Sequence, residues 1–358
     1  MSVQRQSMQR QAFAGMLVAG LTAVAVTVAH AQAPVTPNPA PTPPAPKAAP
    51  KPPARKPAPA QVTPTPQATA PATSRQEPDA AFGAYQRGYY LTAFQLATQR
   101  VEEKSDPKAM TLLAELYANG FGVAQDDKKA TEWYRLAADR GDREAMFALA
   151  MFHLGGRAGA VNREQAAKLL EAAAKLGHVA ANYDLGLLYL EGQLFPQDFA
   201  RAAELFRAAA QAGSPEAQYA LATLYKEGRG VPKDAIETGR WLSAASSGGN
   251  VDAMVEYAIA LFNGTGVIRD EAASAALLQK AARKGNAVAQ NRLANILAHG
   301  RGLRADPVEA IKWHIVAKAG GVGDIPLDEF AQKQKPEVRA AAEKAAQPWL
   351  EAIKASRS

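Results

Sequence analysis

The feature that most constrains this chain is a repeat of 36 residues that runs without insertion or deletion from residue 107 to residue 322. A glycine recurs at every step, as Gly120, Gly156, Gly192, Gly228, Gly264 and Gly300. An alanine keeps the same register, as Ala109, Ala145, Ala181, Ala217, Ala253 and Ala289. Chains with such a period fold as stacked copies of one small unit, because a single unit buries too little apolar surface alone. The sequence therefore predicts six stacked units.

Each unit is predicted to form two helices. In the fourth unit, Ala217 and Leu221 begin an apolar stripe with the spacing of one helical face. The stretch from Gly228 to Asp234 contains two glycines and a proline, which end that helix. Asp234 is placed to cap a second helix, whose inner face includes Trp241. The sequence thus predicts an all-α fold, a right-handed α/α superhelical solenoid of six 36-residue repeats.

The fourth unit also carries a family resemblance. This unit resembles the Sel1-like repeat through the pattern Ala217-x-x-x-Leu221-Ala222-x-x-Tyr225-x-x-Gly228-x-Gly230-Val231-x-x-Asp234, followed by Trp241 and Gly249. The resemblance implies a solenoid related to tetratricopeptide repeats, and relatives that act as adaptors or regulators in the cell envelope. Ala158 and Leu194 replace the second loop glycine in units two and three, and Ser274 and Leu277 replace the usual Ala and Trp in unit five. We expect these departures to change local loop shape only.

The residues that flank the repeats predict capping helices at both ends of the solenoid. Residues 79–106 predict a helical hairpin, and residues 323–358 predict capping helices, one of which starts at Pro336. The end units need such caps because their outer apolar face would otherwise meet water. Pro348 is expected to kink or shorten the last helix, since proline removes a backbone donor.

The first 33 residues predict a secretory signal peptide. Arg5 and Arg10 precede an uncharged apolar stretch, and the residues from Ala29 to Ala33 have the small-x-small spacing of a cleavage site. An uncleaved membrane anchor is the alternative, because about 18 apolar residues are just enough to span a bilayer. With the signal removed, we expect no membrane span and a periplasmic or secreted location in a Gram-negative cell envelope.

Residues 34–78 predict an extended, disordered Pro/Ala-rich linker, because they contain 16 of the 24 prolines. The linker also accounts for most of the net charge of +7: residues 1–33 contribute +2, residues 34–78 contribute +4, and the remaining residues contribute +1. The near-neutral charge of the repeat-bearing part argues against nucleic acid as a partner. The chain contains no cysteine, which excludes disulfides and thiolate chemistry.

No pattern of catalytic residues stands out in the repeats. Glycine pairs such as Gly120 and Gly122 follow a helix rather than a strand, so they predict turns rather than phosphate-binding loops. The histidines outside the signal occupy four different positions of the unit, so stacking does not gather them into a metal site; they are His153, His178, His299 and His314. We therefore expect no enzymatic activity, no cofactor and no metal, with a hydrolase as a remote alternative.

Function is expected where the units differ from one another along their first helices, which line the concave side in this superfamily. The residues predicted to contact a partner are Glu115, Asp184, Thr223, Glu256, Arg292 and Asn295. Their columns have an apolar centre and polar ends, which suits an extended or helical peptide; ordinary solvated surface positions are the other interpretation. The sequence predicts a scaffold for protein–protein interaction whose partner is another protein or peptide of the envelope. The alternative is a protein that binds peptidoglycan or polysaccharide through the basic linker.

Overall fold

The structure, a computed structural model, describes residues 79–357, and the predicted signal peptide and linker lie outside these residues. Within residues 79–357 the chain forms sixteen α-helices and no strand. Two helices precede the repeats, α1 (Ala80–Gln86) and α2 (Tyr90–Lys104). Six pairs follow, each with a first and a second helix: α3 (Pro107–Asn119) and α4 (Asp127–Ala138), α5 (Arg143–Leu154) and α6 (Arg163–Lys175), α7 (Val179–Glu191) and α8 (Phe199–Gln211), α9 (Pro215–Glu227) and α10 (Ala235–Ser247), α11 (Val251–Asn263) and α12 (Glu271–Arg283), and α13 (Ala287–His299) and α14 (Pro307–Ala319). The last two are α15 (Ile325–Gln332) and α16 (Pro336–Arg357). The predicted all-α solenoid of two-helix units is confirmed.

Capping groups begin and end the helices of each unit. In unit four the first helix ends at Gly228, whose φ of +74° is left-handed and therefore favours glycine. The Asp234 carboxylate accepts hydrogen bonds from the backbone N–H groups of Ile236 and Glu237, which starts the second helix. The backbone N–H of Asp234 donates to the carbonyl of Tyr225 at 3.1 Å, and the equivalent bond closes the loop in all six units. The helix breaks and caps predicted from the repeat are therefore confirmed.

In units four to six, the second loop glycine lets the loop lie against the preceding unit. A Cβ atom on Gly230 would lie 2.2 Å from the backbone carbonyl of Phe199, the first residue of α8. Gly266 and Gly302 approach the first residues of α10 and α12 in the same way, at 1.9 and 2.2 Å. No side chain fits at these distances, so the stacking of the units requires glycine here.

Unit two, where Ala158 replaces this glycine, joins its neighbour differently. Its first helix ends at Gly155 with a φ of −86°, one residue before the left-handed Gly156. The guanidinium of Arg157 in the same loop pairs with the carboxylate of Asp127 and donates to a backbone carbonyl at the end of α3, 2.6 Å away. A side-chain bridge thus connects units one and two.

The core consists of small and aliphatic side chains that extend from one unit into the next. The recurring alanine is buried in every unit, with 3% exposure for Ala109 and 0% for the other five. Because a methyl group takes little room, the helices pack closely at these positions. Trp241 and Trp313 are buried at the same position of their units, and each indole N–H donates to a glutamate one turn earlier. These tryptophans are core residues, as predicted.

Helices outside the repeats pack against both end units. At the N-terminal end, the rings of Tyr90 and Phe121 stack with centroids 4.6 Å apart and connect α2 with the loop of unit one. At the C-terminal end, the rings of Trp313 and Trp349 lie 4.9 Å apart and connect α14 with α16. None of the helices in residues 79–357 has the length and apolarity that crossing a bilayer requires.

The expectation that Pro348 shortens the last helix is wrong, because α16 continues through it to Arg357. Pro348 is exposed, and so is Lys344, whose carbonyl the proline leaves without a helical partner. Beyond the proline, Leu350 and Ile353 pack against the core of the last units and hold the helix in place. Tertiary packing therefore overrides the local helix-breaking tendency.

Candidate functional site

The six predicted partner-binding residues occupy one side of the first helices. Counted from the start of each 36-residue unit, they stand at the sixth and ninth positions. The second and fifth positions lie beside them, because helical residues three or four apart are neighbours. We call the side chains at these four positions in the six units the first-helix face. Arg292 is exposed on this face, whereas the other five predicted residues are partly buried.

The first-helix face is acidic, although the part of the chain that carries it is almost neutral. Its carboxylates are Glu115, Glu144, Asp184, Glu216, Asp252 and Glu256. Its basic side chains are Lys108 and Arg292. Because the acidic residues recur along the stacked first helices, their fields add and produce a negative potential over this side of the repeats.

Glu256 connects two units as well as contributing charge to the face. Its carboxylate accepts a hydrogen bond from the Tyr219 hydroxyl at 2.9 Å and pairs with the Lys226 ammonium at 2.8 Å. Both partners belong to α9 in the preceding unit. Burial raises the pKa of Tyr219, and the charges of Glu256 and Asp252 raise it further. The Tyr219 hydroxyl therefore remains a hydrogen-bond donor at neutral pH.

Two predicted amide and hydroxyl side chains are also hydrogen-bonded. The amide of Asn295 donates to the carboxylate of Asp324 at 3.0 Å, and Asp324 is the residue that caps α15. The hydroxyl of Thr223 donates to the backbone carbonyl of Tyr219 at 3.0 Å, one turn earlier in its own helix. Asn295 thus connects the last unit to the C-terminal helices, whereas Thr223 bonds only within α9.

Asp184 lies beside a tyrosine in the third unit. Burial raises the pKa of Tyr183 to about 12, with further contributions from the charges of Asp184 and Glu216. The phenol is therefore neutral at physiological pH and offers both a ring face and a donor. The middle of the first-helix face thus combines aromatic rings with carboxylates.

Glu115 is a partly buried carboxylate in the first unit. Burial raises its pKa above the usual glutamate value, the hydrogen bond from the Tyr85 hydroxyl opposes this rise, and the charges of Glu144 and Asp142 add to it. The pKa of Tyr85 is itself raised to about 12, mainly by burial. A carboxylate kept in surroundings that disfavour its charge is typical of a functional position.

Two tyrosines and three carboxylates of the face were not among the residues predicted from the sequence. Tyr183 and Tyr219 stand at the fifth position of their units, and Glu144, Glu216 and Asp252 stand at the second. Burial raises the pKa of Asp252, and the charge of Glu256 adds to the rise. The signal that identifies all five is helical spacing, because the second position precedes the sixth by four residues and the fifth precedes the ninth by four.

The buried histidines take part in the fold and do not form a shared site. The Nδ1 atom of His178 accepts a hydrogen bond from the backbone N–H of Ala181 at 3.0 Å, and its Nε2 atom lies 2.9 Å from the Glu144 carboxylate. The Nε2 atom of His314 lies 2.8 Å from the Asp328 carboxylate in α15. Among residues 79–357, no three His, Asp or Glu side chains converge as a metal ion would need. What the face offers is charge, hydrogen bonds and rings for recognition.

Comparison with protein families gives one family. A model described as Sel1 repeat matches residues 107–142, 143–178, 179–214, 215–250, 251–286 and 287–322. These six segments are the six units in the register set by the glycines, and together they make up more than half of the chain. A comparison with curated proteins gives no significant match.

The solved structures that are similar to this chain include two with a TM-score above 0.5. A Sel1 repeat protein from Oxalobacter formigenes is 24% identical with a TM-score of 0.56, and the match covers 66% of this chain and 94% of that protein. A protective antigen of uropathogenic Escherichia coli strains, c5321, which displays an SLR fold, is 24% identical with a TM-score of 0.52. That match covers 76% of this chain and 68% of the antigen.

Identities at this level support the fold alone. Sel1 repeat proteins generally mediate protein–protein interaction and are typically non-catalytic. Since six consecutive repeats match over residues 107–322 and the helices follow the same units, this chain belongs to the Sel1 repeat family.

Proposed function

We propose that this protein is a non-catalytic interaction scaffold of the bacterial cell envelope and that its first-helix face binds a protein partner. The partner segment that fits this face is basic and extended or helical, because the face carries six carboxylates and two basic side chains. The Sel1 repeats support the interaction role, and the signal-like residues 1–33 support export. A regulatory part in envelope signalling or export is the role that the resemblance implies.

The observation that carries the proposal is that two carboxylates of this face, the half-buried Glu115 and the exposed Asp252, lie in surroundings that disfavour their charge. Partial desolvation and the charges of neighbouring carboxylates raise the pKa of both, so the ionised form of each group is disfavoured in the folded chain. A glutamine or asparagine at these positions would avoid that penalty while keeping the shape of the side chain. A basic partner segment would offset the penalty by placing positive charge beside the carboxylates.

The alternative function is binding of peptidoglycan or polysaccharide through the basic residues of segment 34–78. In this alternative, the residues that bind the polymer lie in segment 34–78, outside the residues that the structure describes. The two functions therefore differ in a measurable way, because only the scaffold depends on carboxylates of the first helices.

The test compares two matched double variants of the full chain. One combines Asp184→Asn with Glu216→Gln and removes two charges from the first-helix face. The other combines Glu164→Gln with Glu204→Gln and removes two charges from the second helices α6 and α8, where each glutamate forms a surface ion pair within its own helix. Both variants and the unchanged protein are used for cross-linking pull-down from an envelope extract at low and high salt.

We expect the first-helix variant to lose its retained protein and the second-helix variant to keep it. Retention by the unchanged protein should also fall at high salt, because exposed charges are screened. Equal retention by both variants would rule out the first-helix face as the binding surface. Loss of retention only after deletion of residues 34–78 would favour the polymer-binding alternative.

A further inference from the structure

A groove of about 400 Å³ lies between the second helices α12 and α14. Its apolar wall is formed by Leu293 and Leu297 of α13 and by Leu303 of the following loop. Trp313 and Trp349 also line it, with ring centroids 4.9 Å apart. We call this feature the C-terminal groove, and it has no residue in common with the first-helix face.

Two arginines give the C-terminal groove a positive charge. Arg283, the last residue of α12, and Arg304, in the loop before α14, both line the groove and are exposed. Within residues 79–357 neither guanidinium takes part in an ion pair. Lys312 is neutralised by Glu309, whose Oε1 atom lies 2.6 Å from its ammonium, and Asp306 caps α14. The groove thus has three basic and two acidic side chains, an excess of one positive charge, and its two cations without an ion pair stand beside the apolar wall.

The corresponding groove between α6 and α8 shows that the repeat alone does not produce this combination. It has a volume of about 300 Å³ and stands in the same register of its units. Leu185 and Leu205 contribute its apolar wall, and no aromatic ring lines it. Its charged side chains have both signs and are Glu171, Lys175, Arg201 and Glu204. The aromatic wall and the excess positive charge are therefore specific to the C-terminal groove in this comparison.

We propose that the C-terminal groove binds a small amphipathic anion, a flat aromatic body that carries one carboxylate or sulfonate. The ring would lie against Trp349 and the leucine wall, because aromatic side chains bind flat rings through stacking and burial. The anionic group would be held by Arg283 and Arg304, whose planar guanidinium groups suit carboxylate oxygens. The volume lies within the range of small-molecule sites, which are mostly apolar with a few placed polar groups.

The tryptophans allow a direct test with the full chain. The probe is 2-naphthoate, and the readout is tryptophan fluorescence, because two of the four tryptophans line the groove. We expect saturable quenching by 2-naphthoate and much weaker quenching by 2-naphthylmethanol, which has the same ring system without the charge. Arg304→Gln should weaken 2-naphthoate binding about tenfold, the effect of losing one charge-assisted hydrogen bond.

Two further variants complete the experiment. Arg201→Gln, in the groove between α6 and α8, is the matched control and should leave 2-naphthoate binding unchanged. Trp349→Phe should remove a large part of the quenching while the far-UV circular dichroism stays the same. Equal binding of the alcohol and the carboxylate, or equal binding by Arg304→Gln and the unchanged protein, would overturn the proposal. The absence of saturable quenching would overturn it as well.

Discussion

Glu115 is a residue whose charge opposes the stability of the fold. Its pKa is raised in the folded chain, mainly by burial, so folding favours the protonated carboxyl. The stabilisation that this group provides is complete below its ordinary pKa and is lost as pH rises through the raised value. We predict that Glu115→Gln increases the Tm at pH 7 by about 1–3 °C and has little effect at pH 3.5.

Thermal melts at the two pH values check this prediction. Glu132→Gln, at an exposed position of α4, is the control and should change the Tm little at either pH. A Tm at pH 7 that is unchanged or lower in Glu115→Gln would show that the carboxylate does not destabilise the fold, and would remove one support for the proposed binding surface.

His178 is a helix cap that accepts through an imidazole nitrogen. Its Nδ1 atom accepts the backbone N–H of Ala181 and therefore carries no proton. In unit five the equivalent residue, Asn286, accepts the N–H of Ala289 at 2.9 Å through an amide oxygen that does not titrate. We predict that His178→Ala removes the first cap, whereas His178→Asn keeps it, because an asparagine amide oxygen can accept the same backbone N–H as in Asn286.

Amide hydrogen exchange measures both caps in one sample, with the Ala289 amide as the internal control. Protection of the Ala181 amide should fall in His178→Ala and be kept in His178→Asn, and protection of the Ala289 amide should change in neither variant. Equal protection of the Ala181 amide in His178→Ala and in the unchanged protein would contradict the prediction.

At the scale of loops and helices, substitutions at two glycines allow the cost of a strained backbone to be measured apart from the cost of steric crowding. Gly177 and Gly230 have similar φ values of +76° and +69°. A Cβ atom on Gly177 would meet nothing closer than 3.8 Å, whereas one on Gly230 would lie 2.2 Å from the backbone of α8. We predict that Gly177→Ala destabilises the chain by about 1–2 kcal/mol and that Gly230→Ala destabilises it by at least about twice as much.

Urea unfolding followed by circular dichroism measures the difference. Because each unit contacts only its neighbours, Gly230→Ala should also produce an early partial transition at units three and four. Equal loss of stability in the two variants would mean that the loop moves away from α8 without cost.

The helix boundaries were predictable from the sequence because their signals are local. Glycine and aspartate at fixed spacing within one unit ended and started the helices, and the structure agrees at Gly228 and Asp234. The need for the second glycine was not predictable, since Gly230 approaches Phe199 in another unit. The prediction at Pro348 was wrong for a similar reason. Where α16 ends depends on packing against other units, which the local sequence does not show.

From the sequence, the candidate site could be predicted only as two positions of the repeat, the sixth and the ninth, at which the residues differ between units. Spacing placed Glu256 and Asn295 on the same side of the first helices. Their hydrogen bonds to Tyr219 and Asp324 depend on side-chain geometry between consecutive units, which spacing within one unit does not specify. The excess of acidic residues was present in the sequence and becomes visible only when the second and fifth positions are counted with the others.

At the scale of the whole molecule, the equal length of the units predicts that one can be removed. Deletion of residues 215–250 joins Ser214 to Val251 and leaves every cap, glycine and alanine in register. Ser214 caps α9 in the unchanged chain and would take the place of Asn250 as the cap of α11. We predict a folded five-unit protein with unchanged helical content per residue and a lower stability, since one interface between units is lost.

Circular dichroism and cooperative thermal unfolding test this deletion. A control that removes residues 215–244 breaks the register and should give a poorly folded product. Similar behaviour of the two deletions would show that the repeat register does not control the stacking.

The constant length of 36 residues also bears on how such a gene changes over generations. Unequal recombination between the stretches of DNA that encode two units adds or removes 36 codons at once, so the reading frame and every junction between helices are preserved. Descendants of this chain can therefore differ in the number of units without passing through an unfolded intermediate. Each such event also changes how many of the acidic first helices stand in the row.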